Sequence, residues 1–179
     1  MRRATYRAAL GGALCAFSVA VMMFGSFFPL ATFTVPAAAS ITVLYFAVEY
    51  GKRFAALVYA ASALLSLLLV PDKEIAFLFA LLLGPYPIIK GLVEPVKPKA
   101  AAFALKLLFF NACVALIYMA AARLFGLDAI TEEIKNYAAY MKAAVLLLGN
   151  ITFVLYDFAL TRLISLYIYR IRAKLQRRR

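Results

Sequence analysis

The sequence predicts an all-α membrane protein, a bundle of six transmembrane helices with both termini in the cytoplasm. Three observations carry this. Two thirds of the 179 residues are hydrophobic and mean hydropathy is strongly positive, more apolar surface than a soluble core of this size can hide. Apolar runs recur along the whole chain and leave no room for a soluble domain, so residues 1–179 read as one transmembrane domain. The basic residues, finally, cluster between and after those runs.

The spans follow in order. The first covers Tyr6–Phe28, the second Pro36–Tyr50, the third Arg53–Val70, the fourth Glu74–Leu92, the fifth Ala100–Leu124 and the sixth Tyr140–Tyr169, followed by a basic cytoplasmic tail over 170–179. The second is short, only about 22 Å as a helix. It must therefore be shielded by its neighbours or partly drawn out of the bilayer. With this count the cytoplasm receives Arg2, Arg3, Arg7, Lys52, Arg53, Lys90, Lys97, Lys99, Arg170, Arg172, Lys174, Arg177, Arg178 and Arg179. The outside receives only Lys73, Arg123, Lys135 and Lys142. That asymmetry is the positive-inside pattern, and an odd number of spans would strand "RIRAKLQRRR" on the wrong side.

The N-terminal "MRRATYRAALGGALCAFSVAVMMF" has the basic flank of a signal peptide, but its apolar stretch is too long and lacks a small-residue cleavage site, so it reads as a signal anchor. "GALC" is a poor lipoprotein box, because Leu14 stands where a small residue is needed. Between the first two spans, "FFPLATFTVP" carries no charge and is bracketed by Pro29 and Pro36, which deny backbone donors and turn the chain back. Irregular backbone at membrane depth must be covered by protein or line a wet cavity. The stretch is thus either a lid lying on the protein or a tight hydrophobic turn among the headgroups.

In "VPDKEIAF", Pro71 ends a helix, Asp72 is placed to cap the next, and Glu74 suits its positive end. The same acids could contact a polar ligand. The cluster of Pro85, Pro87, Pro95 and Pro98 predicts a kink at Gly84 to Pro87. "GLDAITEEIKNYAAYMK" has helix-start signals at Asp128 or Thr131, and Ile130, Ile134, Ala138 and Met141 recur near helical spacing, which predicts a short interfacial helix feeding the last span. Tyr137 and Tyr140 mark the outer boundary, Tyr167 and Tyr169 the inner one.

The sharpest pattern is in the first span. Ala4, Ala8, Gly12, Ala16 and Ala20 recur every fourth position, with Ala9 and Ala13 alongside, making a smooth face on which another helix can approach closely. The partner is either inside this chain or on another protein. Polar residues within the spans are few. Asp157, Lys106 and Arg162 read as an intramembrane ion pair with snorkelling basic stems, Asp157 meeting Lys106 or Asn111. Asn150 reads as the better ligand contact, and the candidate binding set is Asn150, Asn111, Asp72, Glu74, Phe28 and Thr32.

Other chemistry has little material. Histidine is absent and there are two cysteines, Cys15 and Cys113, both inside apolar runs, so neither a metal centre nor a disulfide is expected. No serine with a base, no carboxylate pair at a fixed spacing and no phosphate loop points to an enzyme, and no cofactor is implied. The net charge of +12 sits at helix flanks without aromatic interleaving, which argues against nucleic acid. The tail suits anionic lipid on the cytoplasmic face, or an acidic patch on a soluble subunit.

Taken with the chain's size, six spans and internal termini, the uncharged loop "FFPLATFTVP" and the small residues Ala8, Gly12 and Ala16 resemble the substrate-binding membrane subunits, or S components, of energy-coupling-factor (ECF) importers, whose docking helix carries an AxxxA motif. Here glycine takes the middle small position. The resemblance covers nearly the whole chain. It implies a bacterial plasma-membrane protein that captures a vitamin-like small molecule from outside, with the first loop as lid. It also implies docking through the first helix on a transmembrane coupling subunit that works with two ATPase subunits. Two other classes stand beside it: a non-transporting scaffold such as the MreD-like proteins of wall elongation, and a lipid-handling membrane protein.

Overall fold

The computed structural model describes residues 2–28, 31–124 and 139–172. The described residues contain helices and turns but no strand. Helix α1 spans Arg2–Gly25 and α2 Thr34–Glu49. Helix α3 spans Lys52–Leu69 and α4 Lys73–Phe77, the latter running on as a π-helical turn over Leu78–Leu83 before α5, Tyr86–Val93. Helix α6 spans Lys99–Leu124, and α7 spans Ala139–Leu166 and continues as a π-helical turn over Tyr167–Arg172. The chain divides into two compact units, Met1–Lys106 and Leu107–Arg179.

Among the described residues five stretches are long and apolar enough to cross a bilayer: Thr5–Gly25, Lys52–Leu69, Lys73–Val93, Lys99–Ala120 and Ala143–Tyr169. The chain is therefore a multi-pass helical membrane protein. Thr34–Glu49 is equally apolar but, at 16 residues, shorter.

In the first unit α1, α2 and α3 pack on one another, and the α4–α5 segment packs on α2 and α3. The shared core holds Val19 and Met22 of α1, Val43 and Phe46 of α2, Ala55 and Val58 of α3, and Ile75, Phe79 and Ala80 of the fourth span. Gly11 lets α1 close on this core: a Cβ there would touch Val58 and Phe46 at 3.4 and 3.7 Å. Buried hydroxyls join the helices. Ser18 and Thr42 share a 2.7 Å hydrogen bond in which one hydroxyl donates to the other, and the accepting hydroxyl can give its own proton to a carbonyl of its helix, Leu14 for Ser18 or Ala39 for Thr42. In lipid such bonds hold helices together where apolar contact alone gives no preference over acyl chains.

The connections follow from local chemistry. At the end of α1, Gly25 lies so close to α2 that a Cβ would sit 2.6 Å from Val35. Pro36 does not break the chain as its sequence reading required. It sits buried inside the first turn of α2, where its missing N–H is one that the helix leaves unbonded anyway. Between α2 and α3 the turn is made by Gly51 at φ +86°, a conformation that side chains disfavour. Val70 then goes extended ahead of Pro71, and Lys73 donates to the carbonyls of Leu67 and Val70 at the end of α3. Asp72 accepts from the backbone N–H of Glu74 and Ile75 at 2.9 and 3.4 Å and so caps α4.

At the kink foreseen at Gly84 to Pro87 the hydrogen-bond ladder of the fourth span is interrupted, while Gly84 and Pro85 keep helical backbone angles. Gly84 N–H bonds the Phe79 carbonyl, five residues back, at 2.8 Å. The next residue in that pattern is Pro85, which has no N–H for the Ala80 carbonyl. Tyr59 of α3 fills the gap, its hydroxyl donating to Ala80 at 2.5 Å. The predicted interfacial helix, including Asp128, Thr131 and Tyr137, and the tail 173–179 lie outside the described residues.

Candidate functional site

The small-residue stripe faces outward. Ala8, Gly12, Ala16 and Ala20 are exposed, as are Ala9 and Ala13, while Gly11, Cys15, Ser18, Val19 and Met22 on the other side of α1 are buried. An added Cβ at Gly12 would meet no atom within 4 Å. Within this unit internal contact runs through the neighbouring Gly11 and leaves the stripe uncovered. A face of methyls and one bare backbone position, left open beside exposed Phe17 and Phe24, offers a second helix the close approach that drives association in lipid.

The loop after α1 is open too. Phe27 is 77 % exposed and Phe33 66 %, and Phe28, 52 % exposed, lies against Phe24 of α1 with ring centroids 5.4 Å apart. Phe27 and Phe33 are thus largely uncovered by the rest of the chain, while Phe28 keeps a ring contact with α1. Thr32 is half-buried in the turn.

In the second unit Asn111 of α6 and Asn150 of α7 meet each other. Asn111 Nδ2 donates to Asn150 Oδ1 at 3.1 Å, and Asn150 Nδ2 to Asn111 Oδ1 at 3.3 Å. Each amide spends its second N–H on its own helix, at the carbonyls of Leu107 and Leu146, both at 2.8 Å. All four donors are used. Beside this closed square Phe110 stacks on Phe153, centroids 4.8 Å apart. Gly149 makes room, since a Cβ there would come within 3.2 Å of the Phe110 ring. A shallow groove of about 240 Å³ opens next to the pair, lined by Leu107, Asn150, Ile151, Val154 and Leu155. It is apolar but for Asn150, whose amide a ligand would have to win from Asn111.

Replacing either Asn by Leu is expected to strand half of the other amide in apolar surroundings and to cost about 1–2 kcal/mol of helix association. The double variant Asn111→Leu/Asn150→Leu should recover much of that loss, because both unsatisfied groups are removed together. Unfolding of the reconstituted protein by titration with an anionic detergent measures all three; strictly additive losses would mean that the two amides do not interact.

The remaining candidates have different local surroundings. Asp72 is committed to its cap, and Glu74 is an exposed residue of that first turn. Lys106 closes the first unit and Asp157 lies in the second; both are half-buried. Arg162 does not pair with Asp157: its guanidinium stacks on Phe158 of its own helix, 4.9 Å from the ring centroid. Two features escaped sequence reading. Lys90, counted there among the cytoplasmic flank charges, is 1 % exposed and 3.7 Å from Glu94, one turn on. Arg7 lies over the Tyr50 and Phe54 rings at 5.2 and 5.8 Å. The i to i+4 spacing of Lys90 and Glu94 was legible, whereas the contacts of Arg7 cross between helices and were not. Cys15 and Cys113 are buried free thiols, and among the described residues no three His, Cys, Asp or Glu side chains converge.

Comparison with protein-family models finds no match, and neither does comparison with curated proteins or with solved structures.

Proposed function

We propose that this chain is the substrate-binding membrane subunit of an ECF-type importer in the bacterial plasma membrane. In this reading the helices make six passes, α2 crossing as a short helix shielded by α1, α3 and the interrupted fourth span, and both ends lie in the cytoplasm. The chain hydrolyses nothing. It captures a vitamin-like molecule from outside and docks α1 on a transmembrane coupling subunit that is driven by two ATPases. The observation that carries the reading is the outward small-residue face of α1, with Gly12 bare. Such a face is unnecessary for contact with acyl chains and is suited to another helix.

A second reading, a non-transporting scaffold of the MreD-like kind, is favoured by the Asn111–Asn150 square, which satisfies itself without a ligand. A lipid-handling protein is the third class, and it would show dependence on particular lipids. Two measurements separate importer from scaffold. In an importer, pull-down from the native membrane recovers a coupling subunit with ATPases, and a micronutrient screen finds a compound that raises the melting temperature in detergent. That rise should vanish in Asn150→Ala, measured against the variant's own melting temperature. Recovery of other membrane proteins without ATPases, together with indifference to every compound, would reject the importer and leave the scaffold.

A further inference from the structure

A second groove, of about 250 Å³, lies near the basic end of α7 and is lined by Arg162, Ser165, Leu166 and Tyr169. Their spacing places all four on one helical face. Arg162 is exposed, and among the described residues no carboxylate lies within ion-pair distance of it. Its guanidinium rests on the Phe158 ring, a contact that orients the fork while leaving its N–H edges free. Tyr169 is 79 % exposed, and the small Ser165 between them turns its hydroxyl back to the Thr161 carbonyl at 2.9 Å.

Depth makes this arrangement informative. Arg162 stands eight positions before Arg170, the first arginine of the terminal cluster, or roughly 12 Å deeper along the axis. A guanidinium there is costly in hydrocarbon unless it reaches an anion at the membrane surface. The tyrosine one to two turns further on suits the headgroup boundary. A planar fork, a phenol donor and an apolar floor match a phosphate diester attached to acyl chains.

We infer that Arg162 and Tyr169 hold the phosphate of an anionic phospholipid, with Leu166 beneath its first acyl carbons. The site does not depend on the importer reading. The purified protein is tested by native mass spectrometry with phosphatidylglycerol and with phosphatidylcholine as probes. Wild type is expected to retain phosphatidylglycerol preferentially, and Arg162→Gln to retain about fivefold less, the worth of one cation at an anionic surface. Arg162→Lys should fall between them, because it keeps the charge and loses the fork. Lys99→Gln, on another helix, should match wild type, and excess inorganic phosphate should displace nothing. Equal retention by wild type and Arg162→Gln, or an equal loss in Lys99→Gln, overturns the site. Displacement by inorganic phosphate overturns the lipid assignment in favour of a soluble anion. If Arg162→Gln does not fold, Tyr169→Phe decides: a reduced preference for phosphatidylglycerol supports the site, and an unchanged one rejects it.

Discussion

Gly12→Leu is expected to insert and fold as wild type does while losing its partner. The added side chain meets nothing within the chain near its Cβ, so the melting temperature should hold. A helix docked on the face would instead be forced outward, at a cost of about 1–3 kcal/mol, which is roughly 5- to 150-fold in affinity. The neighbouring Gly11→Leu supplies the contrast. Its Cβ already touches Val58 and Phe46 at ordinary contact distance, so the rest of the side chain would drive into the core and lower stability. Co-purification and thermal melting on the same samples read both effects. Normal assembly of Gly12→Leu would reduce the stripe to a lipid-facing surface and remove the main support for the importer.

The largest effect on stability is expected at Gly84. In Gly84→Ala the new Cβ would lie 2.6 Å from the Phe79 carbonyl oxygen and 3.0 Å from two carbons of the Tyr59 ring. A ring can shift, but the carbonyl is backbone held by the Gly84 N–H itself, so the π-helical turn must open. A loss of about 3 kcal/mol is expected, at the upper end for overpacking. Tyr59→Phe, which removes only the hydroxyl donated to Ala80, should cost about 1 kcal/mol. Adding it to Gly84→Ala should rescue nothing, since the tightest contact is with Phe79. Chemical unfolding in mixed micelles measures all three, and a stable Gly84→Ala would mean that the turn is not needed to join the two halves of the fourth span.

Much of the helical layout was legible because its causes are local. Apolar runs of bilayer length, Asp72 ahead of a helix start and the Gly84–Pro87 interruption each depend on residues close in the chain. Pro36 misled for the converse reason: proline is a breaker in mid-helix and tolerated in the first turn, and sequence alone does not say where the first turn begins. The candidate site was legible in its members, whereas the meeting of Asn111 with Asn150 was not. Asn111 and Asn150 were singled out as polar residues in apolar spans, yet their joining follows from which faces of α6 and α7 meet. The stacking of Arg162 on Phe158, one turn before it in α7, went unread although its spacing is in the sequence.

Composition and charge order by themselves determined a helical membrane protein, because the hydrophobic effect sums over each segment regardless of what surrounds it. Only the tertiary structure decided which side of α1 is open. Gly11 and Gly12 are adjacent and chemically identical, and one meets a phenylalanine while the other meets nothing; that difference belongs to the packing of α2 and α3 against α1.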